Sequence, residues 1–179
     1  MPYVTAIATI SVDGKITPPE REGTDFSSAE TGANFMFLLK KTDACISGRK
    51  TYDVVGEMMR AMSSGTDSAP LNIIMTRNPD EFRSIDNPSN FEFTDMDPRA
   101  LISSLSERGM ERILIAGGGE VYSSFAAAGV VDEWFIVIEP ILLGGGKPIF
   151  SFPAEQKLRM IESKMLNDGT IAIRYTPVT

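Results

Sequence analysis

The chain has 179 residues, of which 42% are hydrophobic, and a formal net charge of −7. This length and composition predict a single domain, residues 1–179, with one well-filled core. The negative charge argues against a nucleic-acid-binding protein, because such proteins use clustered Lys and Arg to displace counterions from phosphates. No apolar run approaches the roughly 20 residues of a membrane helix, and no charged signal-peptide region is present, so we expect a cytoplasmic protein that binds no membrane.

Two residue counts limit the chemistry further. The sequence contains no histidine and one cysteine, Cys45. These counts exclude Ser-His-Asp and Cys-His catalytic groups and almost every zinc site, so no metal is predicted. Cys45 lies in an apolar run and is interpreted as a small buried residue. Any reaction must therefore use carboxylates, Lys, Tyr, hydroxyl groups, water or an organic cofactor.

Strands and helices are predicted to alternate along most of the chain. Apolar and β-branched runs predict strands over residues 3–12, 44–47, 71–76, 91–94, 112–116 and 133–140. Helices are predicted over residues 27–41, 50–62, 98–108 and 120–128. A possible capping box of Ser27 and Glu30 begins the first helix, and Asp97 is the expected N-cap of the third.

The C-terminal segments predict an antiparallel hairpin. Strand-like residues 158–165 and 171–176 flank the strong turn signal Asn167-Asp168-Gly169. We therefore predict an α/β fold in which a central mixed sheet has helices on both faces and the hairpin at its C-terminal edge.

Three consecutive glycines lie between a predicted buried strand and a predicted helix. Gly117, Gly118 and Gly119 allow close approach of a ligand, and the free amides of a helix N-terminus can hold a phosphate. A steric need for glycine in the turn is the alternative, and the run does not form G-x-G-x-x-G. If Gly118 has a cis or positive-φ conformation, replacing it with alanine should abolish cofactor binding or destabilise the fold.

Two other strand ends carry complementary groups. Gly48, Arg49 and Thr51 follow one strand, and Thr76 and Arg77 follow the next. Ligands of open α/β sheets bind beyond the carboxyl ends of the strands, so the three strand ends together predict one phosphate-bearing cofactor lying across them. For either arginine alone, a solvated surface position is an equally good interpretation.

Five motifs, in this order and spacing, make the chain resemble the dihydrofolate reductase-like superfamily, and within it the reductase domain of the bifunctional riboflavin-biosynthesis deaminase-reductase. The motifs are SVDGKI, DACISGRKTYD, NIIMTRNP, ILIAGGGEVY and VVDEWFIVIEPILLGGGKPIF. The resemblance implies an NADPH-dependent oxidoreductase.

The resemblance also implies a role for each cofactor-binding residue. It places Gly48, Arg49 and Thr51 at the pyrophosphate, and Thr76 and Arg77 at the adenosine 2′-phosphate. A cis peptide is implied between Gly117 and Gly118. The implied diphosphate turn consists of Gly117, Gly118, Gly119, Glu120, Val121 and Tyr122. Tyr122 could equally serve in packing.

The resemblance to the riboflavin branch implies reduction of 5-amino-6-(5-phosphoribosylamino)uracil, with Asp13 and Lys15 beside the pyrimidine. Lys15 could polarise the reacting oxygen or nitrogen, and Asp13 could orient Lys15 or relay a proton. The same residues could instead form an ordinary turn with an exposed charge. Two departures from that branch are Ala116, where an acidic residue is usual, and the broken T-x-x-x-D-x-P-x-L pattern after Thr51.

Two alternatives stay open at this stage. A dihydrofolate reductase-type pterin reductase needs an acidic residue from its first helix, and the residues near that position are Gly32, Asn34, Glu30 and Asp25. A non-catalytic NADP-binding protein of the same fold is the other alternative. The riboflavin-type relatives also imply a homodimer through the sheet edge near Trp134, although Trp134 could instead fill the core of the monomer.

Overall fold

The computed structural model describes residues 1–63, 69–82 and 89–178. Its strands are β1 (Tyr3–Ser11), β2 (Ala44–Gly48), β3 (Leu71–Met75), β4 (Phe91–Thr94), β5 (Arg112–Ile115), β6 (Glu133–Glu139), β7 (Leu158–Met165) and β8 (Ile171–Pro177). Its α-helices are α1 (Ala29–Leu39), α2 (Arg49–Ser63), α3 (Pro98–Glu107) and α4 (Gly119–Ala128). A short 3-10 helix spans Pro79–Phe82.

The strands form one eight-stranded sheet in the order β4-β3-β2-β5-β1-β6-β8-β7. The six strands from β4 to β6 in this order are parallel. Strand β8 pairs antiparallel with β6, and β7 pairs antiparallel with β8. The predicted mixed sheet and its C-terminal hairpin are therefore confirmed.

Apolar side chains are buried on both faces of the sheet. One core contains Ile46, Ile113 and Ile115 from the strands together with Leu105 of α3 and Phe125 of α4. The other contains Ile7, Cys45, Leu114 and Val137, and Phe35 and Leu39 of α1 pack against it. Helices therefore cover both faces, as predicted.

Helix α1 begins one residue later than the predicted capping box. Ser28, and not Ser27, is the N-cap, and its Oγ accepts a hydrogen bond from the Thr31 N–H at 3.3 Å. The buried Glu139 carboxylate holds Ser28 in place, because it accepts bonds from its N–H at 2.8 Å and its hydroxyl at 2.9 Å. The predicted partner Glu30 instead accepts a bond from Asn167. Asp97 caps α3 as predicted.

The structure also shows where Cys45 and Trp134 lie. Cys45 is buried, and burial raises the pKa of its thiol to about 12. Trp134 is buried within the monomer, where its indole N–H donates to Gln156 at 3.1 Å and its ring packs between Tyr122 and Phe150. In the part of the chain that the structure describes, no helix combines the length and apolar character needed to cross a membrane.

Candidate functional site

A cavity of about 1340 Å³ lies where several parallel strands end. The residues that line it include Gly48 at the end of β2, Thr76 after β3 and Ala116 after β5. Helices α1 and α2, the loop after β1 and the segment 147–152 contribute further walls. A site for one small molecule occupies roughly 300–1,000 Å³, so the volume of this cavity exceeds that of a single small-molecule site.

Two helix N-termini meet at this cavity. Arg49, Lys50 and Thr51 begin α2, and Gly119 and Glu120 begin α4; all five line the cavity. The Glu120 carboxylate forms an ion pair with the Lys50 ammonium at 2.7 Å. This ion pair joins the two helix ends and lowers the pKa of Glu120. Free amides and helix dipoles at such ends favour an anion.

The glycine turn brings these helix ends together. The Gly117–Gly118 peptide is cis, as the resemblance implies, and the Gly117 carbonyl accepts a bond from the Gly48 N–H at 2.7 Å. A Cβ atom added to Gly118 would lie 3.4 Å from Thr51 Oγ1, which is an ordinary contact distance. The close packing at this point explains why the N-terminal residues of α2 and α4 line the same cavity.

In this turn Gly117 is the residue whose backbone conformation favours glycine, whereas the effect of Gly118→Ala on cofactor binding or stability stays a prediction. Gly117 has φ +100°, and a Cβ there would lie 2.8 Å from the Tyr122 hydroxyl oxygen. Gly118 has φ −84°, which any residue can adopt. The positive φ in this turn therefore belongs to Gly117, which does not itself line the cavity, while a Cβ on Gly119 would lie 2.7 Å from Ser151 Oγ.

The Tyr122 side chain is held in the core by a hydrogen bond and by packing of its ring. Its hydroxyl donates to the Ile7 carbonyl, and its buried ring packs against Trp134. Burial raises the pKa of Tyr122 well above its usual range. The side chain is therefore engaged in packing, and Tyr122, like Val121 before it, also lines the cavity at the α4 N-terminus.

Arg77 differs from the other predicted cofactor-binding arginine, Arg49, in its ion pairing. It is exposed, lines the cavity and, within residues 1–63, 69–82 and 89–178, makes no ion pair. Arg49 pairs with Asp53 on α2. Thr76 beside Arg77 accepts a bond from the Asn78 N–H at 3.3 Å, which orders the turn after β3.

The predicted catalytic residues Asp13 and Lys15 do not line the cavity, whereas the next residues, Ile16 and Thr17, do. Asp13 accepts hydrogen bonds from the Leu143 N–H at 3.0 Å, the Ser11 hydroxyl and the Gly144 N–H. These bonds lower the pKa of Asp13 to about 2, so its carboxylate stays ionised near neutral pH. Asp13 therefore fastens the loop after β6, and its catalytic role with Lys15 stays a prediction.

Sequence reasoning missed the two helical walls of the cavity. Apolar side chains of α1 and α2 line it at a spacing of three to four residues, which is the period of a helix. Ser47 at the end of β2 and Ser27 before α1 also line it, and both hydroxyl oxygens are buried without a partner in the described structure. The sequence shows the helical period of these apolar residues, but it does not show that they face the cavity.

Comparisons with known proteins agree with this geometry. The family described as "RibD C-terminal domain" matches residues 2–172. The chain belongs to this family. It is a family of reductase-type domains of riboflavin biosynthesis, and the chain has their dihydrofolate reductase-like fold.

Individual relatives of this family member are distant. The uncharacterized protein YyaP of Bacillus subtilis is 23% identical over 93% of this chain and 90% of its own length. The 2,5-diamino-6-ribosylamino-4(3H)-pyrimidinone 5′-phosphate reductase of Methanothermobacter thermautotrophicus is 24% identical over 80% of each chain. The solved structure of Acinetobacter baumannii RibD, form 1, superimposes with a TM-score of 0.82 at 20% identity over 100% of this chain. This chain spans 59% of that RibD chain.

Proposed function

We propose that this RibD C-terminal domain family member is an NADPH-dependent reductase. The observation that carries the proposal is the meeting of two helix N-termini, α2 and α4, with the unpaired Arg77 at one cavity. A diphosphate fits the helix ends, and a 2′-phosphate fits an arginine without a carboxylate partner. The space that remains in a cavity of about 1340 Å³ suffices for a substrate.

The residues present fit this cofactor. The amides of Gly119 and Glu120 and the first turn of α2 would hold the diphosphate, and Arg77 with Thr76 would hold the 2′-phosphate. When bound, NADPH supplies the hydride. The chain's own part is to orient both ligands and to exclude water from the buried end of the cavity, where Ile7 and Ser47 lie.

The proton for the substrate heteroatom would come from solvent. Glu22 is the carboxylate that the loop after β1 brings to the cavity in the described residues, and it is paired with Lys147 at 2.6 Å. The Cys45 thiol has a pKa near 12 and releases its proton poorly at neutral pH. Hydroxyl groups such as that of Ser47 can orient a water molecule or a substrate oxygen.

The candidate substrate from the sequence is the ribosylaminopyrimidine. Membership of the family supports it, and so does the activity for which the Methanothermobacter relative is named. The pterin alternative lacks a feature that it needs: the described α1 residues that line the cavity include no carboxylate, and Glu30 bonds to Asn167 instead. The pyrimidine therefore ranks before dihydrofolate.

Spectrophotometric assay of NADPH oxidation tests this function. The purified chain is mixed with NADPH and either 5-amino-6-(5-phosphoribosylamino)uracil or dihydrofolate. We expect substrate-dependent oxidation, and faster turnover of the pyrimidine if the sequence-based order is right. Rapid turnover of dihydrofolate with none of the pyrimidine would reverse that order. Failure of NADPH to bind would contradict the function itself, and binding without turnover of any substrate would favour a non-catalytic NADP-binding protein.

A homodimer through the sheet edge is the second part of the proposal. Strand β7 pairs with β8 on one side only, and all its residues are exposed in the monomer. Met160, Ile161 and Met165 place apolar surface along this strand. Because an unpaired apolar edge strand tends to associate with another chain, β7 is the surface that fits a second copy.

A further inference from the structure

The inference concerns the cleft between α1 and α2, defined by the cavity-lining apolar side chains of the two helices. On α1 these are Phe35, Met36 and Leu39, and on α2 they are Val54, Val55, Met58, Met59 and Met62. Both sets recur at the helical period, so each helix presents one continuous apolar stripe to the cavity. The cleft is continuous with the part of the cavity proposed for the cofactor.

The α2 stripe is not covered by the rest of the protein. Val54 is 45% exposed and Met58 is 57% exposed, whereas the inward-facing Leu101 and Leu105 of α3 are almost fully buried. Burial in the monomer core therefore does not account for the apolar residues of α2. A ligand that covered them would remove apolar surface from water, which is favourable, and methionine side chains adapt readily to flat ligands.

Two unused hydroxyl groups point to a ligand in the same space. Ser47 is 2% exposed, lines the cavity and has a buried Oγ without a hydrogen-bond partner in the described structure. Ser27 Oγ is also buried, unpartnered and in the cavity lining. Buried polar groups normally have partners, so these two hydroxyls have the capacity for a few hydrogen bonds to a ligand. By contrast, the Thr31 hydroxyl already donates to Glu139 at 2.6 Å.

The charges near the cleft do not suit a phosphorylated substrate. Arg49 and Lys50 of α2 are paired with carboxylates and lie at the part of the cavity proposed for the cofactor, and Lys147 is paired with Glu22. Lys40, at the end of α1, is the remaining cation on the α1 side of the described lining, and it is exposed. Recognition of a phosphate normally uses several converging donors, which a single exposed ammonium does not supply.

We infer that the substrate is a flat, uncharged and largely apolar molecule with one or two hydrogen-bonding groups, bound between the α1 and α2 stripes. The inference rests on the proposed reductase function and makes such a compound a better substrate than the phosphorylated pyrimidine. Ser47 and Ser27 supply the polar contacts, and the methionines of α2 cover one face of the ring system.

Titration with N-phenyl-1-naphthylamine tests the inference. This neutral aromatic amine becomes more fluorescent in apolar surroundings. We expect saturable binding to the purified chain, weakened at least about tenfold by Met58→Lys, because the new charge would be covered by the ligand. The control Phe37→Lys changes an apolar residue that is 56% exposed on α1 but lies outside the cavity lining, and it should bind the amine normally.

Ser47→Ala gives an independent readout. Loss of one hydrogen bond should weaken binding of the amine by roughly threefold to tenfold. The melting temperature should not fall, because Ser47 Oγ has no partner in the described structure. Equal affinity of the wild type and Met58→Lys, or displacement of the amine by ribose 5-phosphate, would overturn the inference.

A separate titration distinguishes this inference from the proposed function. NADPH should bind equally to the wild type, Met58→Lys and Phe37→Lys, because neither residue lies at the α2 and α4 N-termini. Failure of NADPH to bind the wild type would remove the reductase function and, with it, the assignment of the ligand as a substrate. Normal NADPH binding together with unsaturable binding of the amine would overturn the inference alone.

Discussion

At the scale of single residues, ion pairing distinguishes Arg77 from the two cations at the start of α2. Arg49 and Lys50 both line the cavity and both have carboxylate partners, Asp53 and Glu120. Arg77 lines the same cavity without an ion pair in the described structure. A phosphate would therefore meet Arg77 without displacing an existing partner.

Arg77→Ala is expected to weaken NADPH binding and to leave NADH binding nearly unchanged. The 2′-phosphate adds about two negative charges, and loss of its charge-assisted bonds should cost about 1.5–3 kcal/mol, or roughly tenfold to a hundredfold in Kd. Isothermal titration calorimetry measures both cofactors. The control Arg159→Ala removes an exposed arginine of β7, outside the cavity, and should bind both as the wild type does. Parallel losses for NADPH and NADH would remove Arg77 from the 2′-phosphate.

Gly117→Ala is expected to destabilise the protein more than Gly118→Ala. At Gly117 the added Cβ meets the Tyr122 hydroxyl oxygen at 2.8 Å with φ +100°, and such strain costs about 1–3 kcal/mol, or roughly 4–8 °C in Tm for about 2 kcal/mol. At Gly118 the nearest described side-chain atom is Thr51 Oγ1 at 3.4 Å. Thermal unfolding of both variants checks this order, and the reverse order would contradict the account of the turn.

Asp13→Asn is expected to lower stability in a pH-dependent way. The folded-state pKa of Asp13 is about 2, below the roughly 3.9 of an unfolded aspartate, so the carboxylate stabilises the fold above about pH 4. Its contribution falls as the pH decreases from about 4 to about 2. The difference in Tm between the wild type and Asp13→Asn should therefore be largest at neutral pH and shrink towards pH 3. A difference that is constant from pH 7 to pH 3 would show that the Asp13 charge does not hold the loop.

At the scale of elements, local patterns predicted the strands and helices, and distant partners decided their exact ends. The Asn167-Asp168-Gly169 turn signal placed β7 and β8 correctly, because a hairpin depends on residues next to it in sequence. The capping residue of α1 was misplaced by one position because Glu139, 111 residues away, holds Ser28. No pattern within α1 carries that information.

The exposed edge strand β7 gives a prediction about assembly. We expect light scattering of the wild type at micromolar concentration to give the mass of a dimer. Ile161→Lys should give a monomer, because it places a charge on the unpaired strand edge. Phe37→Lys, which changes a similarly exposed residue of α1, should stay dimeric. A monomeric wild type would contradict the homodimer.

At the scale of the whole molecule, the predictions that succeeded used the rule that parallel strands end at the same edge of a sheet. That rule brought Gly48, Thr76 and the glycine turn together, and the cavity lies there. The rule did not show that Asp13 binds Leu143, 130 residues away, or that α1 and α2 face each other across a cleft. Those contacts depend on how distant segments pack, which one sequence does not specify.

The net charge of the chain and the local charge of the site have opposite effects on the binding of an anionic cofactor. The chain carries a formal net charge of −7, which repels an anionic cofactor at long range. At the cavity, Arg49, Lys50 and Arg77 lie beside two helix N-termini. Since salt screens charges beyond about 8–10 Å, the local groups decide whether the cofactor binds.

The measurement that tests the central claim most directly is the dissociation constant of the wild-type chain for NADPH compared with NADH. Calorimetric titration of both cofactors under one set of conditions gives the two values. Because Arg77, which lines the cavity, would bind the 2′-phosphate that only NADPH carries, NADPH should bind at least about tenfold more tightly. Equal dissociation constants, or no binding of either cofactor, would contradict the assignment of this cavity as an NADPH site.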